Sequence, residues 1–288
     1  MGYPLLRVTN NFVFKYLFGD ESHKDILISL LSAILQIQIK SIKLLQREIP
    51  RSALDLKTAV LDITAELDDE TRVDVEMQVG FQPEYIDRVL FYWADFFTIQ
   101  LKKSEEHHEL NKTISVSIVN DCKDFFPHAH SVYVLAEQQS NPHHVLTGKI
   151  EFQFIDLKRI DEIAKNEDNK LFVLWMKFFT YTTREEMEAI AKENKCIEEA
   201  YNRLDYMSQD SEVRAKAVAR DKFLWDQKVR QKTAREEGKK EGIEIGEKKG
   251  REEGRQEGLL KAAKKLISSG MDSKTVCEML GIPEADLT

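Results

Sequence analysis

Between Thr58 and Val79 the hydrophobic residues recur at every second position, and this alternation restricts the fold more than any other stretch. Ala59, Leu61, Ile63, Ala65 and Leu67 share one side of an extended chain, with Val60, Asp62, Thr64 and Glu66 on the other. After Asp68, Asp69 and Glu70 the pattern resumes, with Val73, Val75, Met77 and Val79 opposed to Arg72, Asp74, Glu76 and Gln78. Two such runs joined by three polar residues predict a β-hairpin. A loop over Asp68, Asp69 and Glu70 sets Leu67 opposite Thr71, Glu66 opposite Arg72 and Asp62 opposite Glu76. Sliding the pairing by two would face Glu66 with Asp74, and like charges directly opposite each other destabilise a strand pair. Either register keeps Asp62 on the face of Glu76 and Gln78. A lone hairpin is marginal in water, so further strands and a covering layer are required.

The rest of the chain supplies them. Residues 12–20, FVFKYLFGD, predict a short helix and a turn, and His23 to Ile39 a longer helix, with Ile26, Leu27, Leu30, Leu31, Ile34 and Leu35 at helical spacing and Ser22 as N-cap. Glu84 to Leu101 is expected to be amphipathic, packing through Val89, Leu90, Trp93, Phe96 and Phe97. Apolar runs at 114–119, 132–136 and 152–155 predict further strands, and 171–181 an aromatic-rich helix. The expected fold class is α/β, a mixed sheet flanked by helices. The expected division is a body over 1–190, a helical extension over 191–235, and a charged tail over 236–288.

Charge separates the tail from the body. The chain of 288 residues has a formal net charge of -8, yet residues 1–210 carry 24 basic and 35 acidic side chains whereas 211–288 carry 18 basic and 15 acidic ones. An acidic average argues against a uniformly basic DNA-wrapping protein but leaves room for a local basic face or bound cations. In the tail, Gly238, Gly242, Gly246, Gly250, Gly254 and Gly258 recur every four residues. Glycines at that spacing share one helical side and each weakens a helix by about 1 kcal/mol relative to alanine. The segment is therefore either a marginal helix stabilised by close packing or a flexible linker. It is followed by two short helical patterns around SSGMDS, a candidate helical hairpin. Three widely spaced cysteines, Cys122, Cys196 and Cys277, disfavour a disulfide scaffold or cysteine-zinc cluster. With no signal peptide or apolar run long enough to span a bilayer, the expected location is cytoplasmic, with no membrane partner.

The sharpest chemistry lies on the polar side of the hairpin. Hydrolysis of a phosphodiester needs carboxylates at a common edge to hold Mg²⁺, which activates water and neutralises developing charge. Asp62, Asp74 and Glu76 share the required face, and the Gln78 amide can orient water or phosphate. Alternating faces explain the same pattern as ordinary solvated polarity, and the spacing alone favours that plainer reading. The histidine pairs at 107/108, 128/130 and 143/144 fit solvated loops, because no acidic or cysteine spacing around them defines a zinc site. The glycine repeat matches no nucleotide-binding loop.

Taken in order, FVFKYLFGD at 12–20 and the helix after it, LDI at 61–63, VEMQ at 75–78 and YIDRVLFYW at 85–93 resemble the Rpn family of recombination-promoting nucleases and transposases, within the PD-(D/E)xK nuclease superfamily. The resemblance covers about 7–180 and extends to the family's charged, glycine-punctuated tail. It implies a restriction-endonuclease-like sheet and a magnesium-dependent DNA endonuclease, with Asp62 as central metal ligand, Glu76 as second carboxylate, and Gln78 where the superfamily pattern usually has lysine. Glutamine supplies only a neutral donor, so the metal and a nearby arginine must carry more of the electrostatic work. Arg88 is the candidate for that charge, with an ion-pair and packing role as the equal alternative. Tyr85 and Tyr92 read as packing residues, and Glu21 and Asp25 as ordinary helix-start charges. The competing expectation is a catalytically weak or inactive DNA-associated assembly module, self-associating through its C-terminal region.

Overall fold

In the computed structural model, residues 3–45, 62–82, 84–101, 106–122, 125–166, 169–283 and 286 are described. The first helix, α1 (Asn11–Phe18), starts where Asn10 Oδ1 accepts from the amides of Phe12 and Val13, at 3.0 and 3.3 Å, and stops at Gly19. Val13, Phe14, Leu17 and Phe18 are buried. The second helix, α2 (Lys24–Leu35), begins later and ends earlier than its periodicity predicts. Ser22 does not cap it. Asp20 instead accepts from the Ser22 amide and opens a single 3-10 turn over 21–23, and Gln36 in the left-handed region ends the helix.

Six strands form one mixed sheet. They are β1 (Ile42–Leu44), β2 (Ile63–Leu67), β3 (Arg72–Gln78), β4 (Thr113–Val119), β5 (His130–Val134) and β6 (Ile150–Asp156), in the order β1-β2-β3-β4-β6-β5. The first three are antiparallel, β3, β4 and β6 are parallel, and β5 closes the edge antiparallel to β6. The hairpin takes the register that avoids like charges, with Glu66 facing Arg72 and Thr64 facing Asp74. Its loop closes through Leu67 N to Thr71 O at 2.8 Å, with Glu70 in the left-handed region. Thr58 to Leu61, where the first strand was expected to begin, lie outside the described residues. Parallel pairing of β3 with β4 requires a crossover, provided by α3 (Glu84–Thr98).

The two sheet faces differ in chemistry. Val73, Val75 and Met77, with Ile114, Val116 and Ile118 of β4, join a large core completed by α1, α2, α5 (Lys170–Thr180) and α7 (Lys195–Gln209). Trp175 on α5 anchors it, its indole N–H donating to Ser29 Oγ at 3.1 Å. On the opposite face α3 covers the polar residues of β3 and β4. The helix packs inward through Tyr85, Val89, Trp93 and Phe96, while Leu90, expected in the stripe, is exposed and Phe97 is half-buried, stacked on Trp93. Asp74 and Glu76 are consequently only 2% and 6% exposed. That overturns the plainer reading of the hairpin as solvated polarity.

Beyond the sheet, α4 (Ile160–Asn166) precedes α5, and α6 (Arg184–Ala191) starts from a reciprocal Thr183–Glu186 cap. The chain divides into units at 1–221 and 222–288. A 58-residue helix, α8 (Ser211–Ser268), enters the first unit through buried Val213 and Ala217, where Asn10 Nδ2 donates to Ala217 O and Asp221 Oδ1. In the second unit the glycine repeat is helical, and an added Cβ at any of its six glycines would meet nothing within 4 Å. Close packing within the chain is therefore not what holds this helix. Exposed i,i+4 pairs such as Lys232 with Glu236 and Lys261 with Glu257 give it tenths of a kcal/mol each. Past the repeat, Ala263 of α8 and Val276 and Cys277 of α9 (Ser273–Leu280) are buried. Among the described residues no helix is long and apolar enough to cross a membrane.

Candidate active site

Asp62 immediately precedes β2, and the register carries it across from Glu76. Its Oδ2 accepts from the Met77 amide at 3.0 Å, and its Oδ1 lies 3.1 Å from Lys15 Nζ on α1. Glu76 points the other way from Met77, beneath α3. Burial first, and the Asp62 carboxylate second, push Glu76 up to about 7, against the opposing influence of Arg88, the Tyr85 hydroxyl and Lys15. The Asp62 carboxylate is thus close enough to oppose the ionisation of Glu76.

The first turn of α3 supplies the partners of Glu76. Tyr85 Oη lies 3.2 Å from Glu76 Oε2 and 2.8 Å from Ser117 Oγ. A phenol has one proton, so it donates to one of these at a time. Burial and the neighbouring Glu76 raise the Tyr85 pKa well above its ordinary value, which keeps that proton in place. Ser117 is in register with Glu76 on β4, and Ser115 Oγ reaches Asp74 Oδ2 at 3.4 Å one pair further along.

Gln78 ends β3. Its Nε2 donates to Gly80 O at 2.8 Å while its Oε1 accepts from Arg88 Nη2 at 2.7 Å. Gly80 has a positive φ of 88°, and the turn it makes brings its carbonyl back onto the glutamine. Arg88 lies over the Tyr85 ring, 4.8 Å from its centroid, an attraction between a cation and the negative face of the ring. The glutamine amide is therefore oriented at both ends, and the exposed arginine stands at the rim beside it.

Asp62, Glu76, Gln78 and Arg88 all meet at this end of the sheet. Asp74 shares their face but sits deeper, and Tyr92 contacts Phe91 rather than the cluster. Glu21 pairs with Lys24, and Asp25 is exposed in the first turn of α2. Lys15 and Tyr85 are the contributors the sequence reading missed. For Lys15 the signal was a lone cation inside the apolar run FVFKYLF. For Tyr85 it was a hydroxyl-bearing aromatic on the inward face of a helix that covers carboxylates.

The donor set fits a hard divalent cation. Mg²⁺ is bound through one or two carboxylates while keeping several waters, and here two carboxylates repel each other, one of them already holding an ammonium group. Among the described residues no group of three or more His, Cys, Asp or Glu converges, which does not suit a four-ligand structural zinc site.

Residues 8–234 match the model of the PD-(D/E)XK nuclease family transposases. The chain belongs to that family. Membership supports a nuclease- or transposase-related function and agrees with the mixed sheet flanked by helices. The match ends within α8, before the glycine repeat begins at Gly238. No curated protein and no solved structure matches the chain.

Proposed function

We propose that this chain is a Mg²⁺-dependent DNA endonuclease, with Asp62 and Glu76 holding the ion and Gln78 and Arg88 handling the phosphate. The observation that carries the reading is the burial of Glu76 beside Asp62 under a helix that supplies a tyrosine and an arginine. Burying a carboxylate against another is costly, and sites that bear such a cost are disproportionately functional. A divalent ion bound there supplies Lewis acidity at a phosphoryl oxygen and a more acidic water.

The side chains divide the remaining work. Asp62, held by the Met77 amide, keeps one carboxylate oxygen directed away from the backbone. Glu76 gives up its proton near neutral pH, and Tyr85 donates to the carboxylate so formed. Gln78 is held between Gly80 and Arg88, so its amide is oriented before substrate arrives, and the Arg88 guanidinium at the rim neutralises phosphate charge. We place the protein in the cytoplasm, acting in recombination or on mobile DNA, and assign self-association to its C-terminal region.

The test is cleavage of supercoiled and linear DNA in Mg²⁺ by the wild type beside Asp62→Ala and Glu76→Ala. Both variants are expected to lose at least about 100-fold in rate with their circular dichroism unchanged. Equal cleavage by all three proteins would exclude these residues and point to a contaminating nuclease. The second reading is a DNA-associated assembly module without turnover. It is favoured by the neutral Gln78 where the superfamily pattern usually has lysine and by the long charged α8, and it predicts DNA binding with no metal-dependent cleavage.

A further inference from the structure

A hydrolytic site with glutamine at position 78 lacks a close cation on its strand, and the fold brings one from elsewhere. Lys15 lies on α1, where Val13, Phe14, Leu17 and Phe18 turn into the core. Its own bearing on the helix differs, and its Nζ reaches Asp62 Oδ1 at 3.1 Å with the side chain 36% exposed.

Two features hold α1 in this position. At Gly19 an added Cβ would lie 2.7 Å from Lys15 O, the carbonyl that accepts from the Gly19 amide at 2.9 Å, and at an ordinary contact distance of 3.8 Å from Ile63 Cγ1, so α1 closes on itself at a glycine and ends near the residue after Asp62. From α7, Arg203 donates to Tyr16 O at 3.0 Å, stands 5.7 Å from the Tyr16 ring centroid and pairs with Asp20. The backbone on the C-terminal side of Lys15 is thereby fixed, while its four-carbon stem stays free to turn.

We propose that Lys15 is the catalytic cation of this site: it rests on Asp62 in the metal-free chain and, once a divalent ion occupies the carboxylates, its ammonium contacts the scissile phosphate. This rests on the endonuclease reading above. The displacement follows from charge, because a divalent ion competes directly with the ammonium for Asp62 Oδ1. Freed from that oxygen, the ammonium remains beside the carboxylate that it has left. From there it donates to a non-bridging oxygen, a role the neutral amide of Gln78 can fill only as a dipole.

The experiment uses the full chain and two readouts. Calorimetric titration of the metal-free protein with Mg²⁺ is expected to show several-fold tighter binding for Lys15→Ala than for wild type, because the competing ammonium is gone. Single-turnover cleavage of plasmid DNA at saturating Mg²⁺ is expected to fall about 100-fold in Lys15→Ala, with Lys15→Arg retaining a substantial part. The double variant Lys15→Ala/Gln78→Lys, which moves the lysine onto β3, is expected to recover much of the rate. A purely structural ion pair would lower the melting temperature but would show neither the tighter Mg²⁺ binding nor the positional rescue. Wild-type Mg²⁺ affinity in Lys15→Ala, or a rate loss that neither Lys15→Arg nor the double variant repairs, overturns the proposal. Mg²⁺ binding that survives unchanged in Asp62→Ala sinks the endonuclease site itself. The two failures are therefore distinguishable, and the calorimetric arm decides even on a poor DNA substrate.

Discussion

Replacing Glu76 by glutamine keeps the shape of the side chain and removes a carboxyl ionisation that the fold opposes. The carboxyl is 6% exposed, and burial with the Asp62 carboxylate raises its pKa from 4.5 to about 7. Between those values the folded chain retains a proton that the unfolded chain has released, so the metal-free protein loses stability as pH rises through this window. The loss is complete above about pH 7. At about 1.4 kcal/mol per unit, the full cost is about 3 kcal/mol. Glutamine escapes that cost but buries an amide whose oxygen can still accept from the Tyr85 hydroxyl, and with about 1 kcal/mol set against the buried N–H groups a net gain of about 2 kcal/mol at pH 8 is expected. For a body of this size that corresponds to about 4–8 °C in melting temperature. The assay is thermal unfolding in EDTA from pH 4.5 to 8.5. The wild-type melting temperature is expected to fall between pH 5 and 7 relative to Glu76→Gln, with the two converging at the acid end, while the variant loses Mg²⁺-dependent cleavage. Parallel pH curves, or a variant less stable than wild type at pH 8, would refute the assignment of a raised Glu76 pKa.

Two further outcomes follow from the same geometry. Tyr85→Phe removes the hydroxyl that donates to ionised Glu76, so the pH midpoint of Mg²⁺ binding is expected to move further up, with about 1–2 kcal/mol of stability lost from the buried hydrogen bonds; an unmoved midpoint in a calorimetric pH series would separate Tyr85 from the site. Gly246→Ala, at a helical position with open space around it, is expected to stabilise that part of α8 by about 0.5–1 kcal/mol, read as slower amide exchange over 238–258. Faster exchange would mean that the glycine face is occupied by another molecule.

The hairpin was legible because period two and the signs of Glu66, Arg72 and Asp74 leave one favourable register. The strands at 113–119 and 150–156 were legible as apolar runs, although a run carries no information about neighbours, and the order β1-β2-β3-β4-β6-β5 had to come from the structure. Three residues are too few to show a period, so β1 was missed. On α3 the apolar stripe was misplaced at Leu90 because hydrophobicity marks which residues prefer burial, whereas the covered arc is set by the sheet beneath. The same arc decides the polar side of the hairpin. Alternation placed Asp62, Glu76 and Gln78 on one face but could not show that α3 lies over Glu76. Lys15 was out of reach for a related reason, since its partner Asp62 is 47 positions away and only the folded packing of α1 brings the two together.

Burial also changes what the formal charge means for a polyanionic substrate. A count of -8 assigns every carboxylate a full negative charge. At the site, Asp62 is already paired with an ammonium, and Glu76, with a pKa of about 7, carries on average only part of a charge at neutral pH. Within the cluster Lys15 and Arg88 are more exposed than Asp62 and Glu76, so a phosphate meets these two cations before these two carboxylates, while Glu84 and Asp87 stand exposed on the same stretch of α3 as Arg88. Acidic surface farther away than the Debye length, about 8 Å in physiological salt, is largely screened. The net charge of the whole chain is therefore a poor guide to the field that a phosphate meets at this end of the sheet. A divalent ion, which Asp62 and Glu76 would hold, would supply further positive charge where the phosphate arrives.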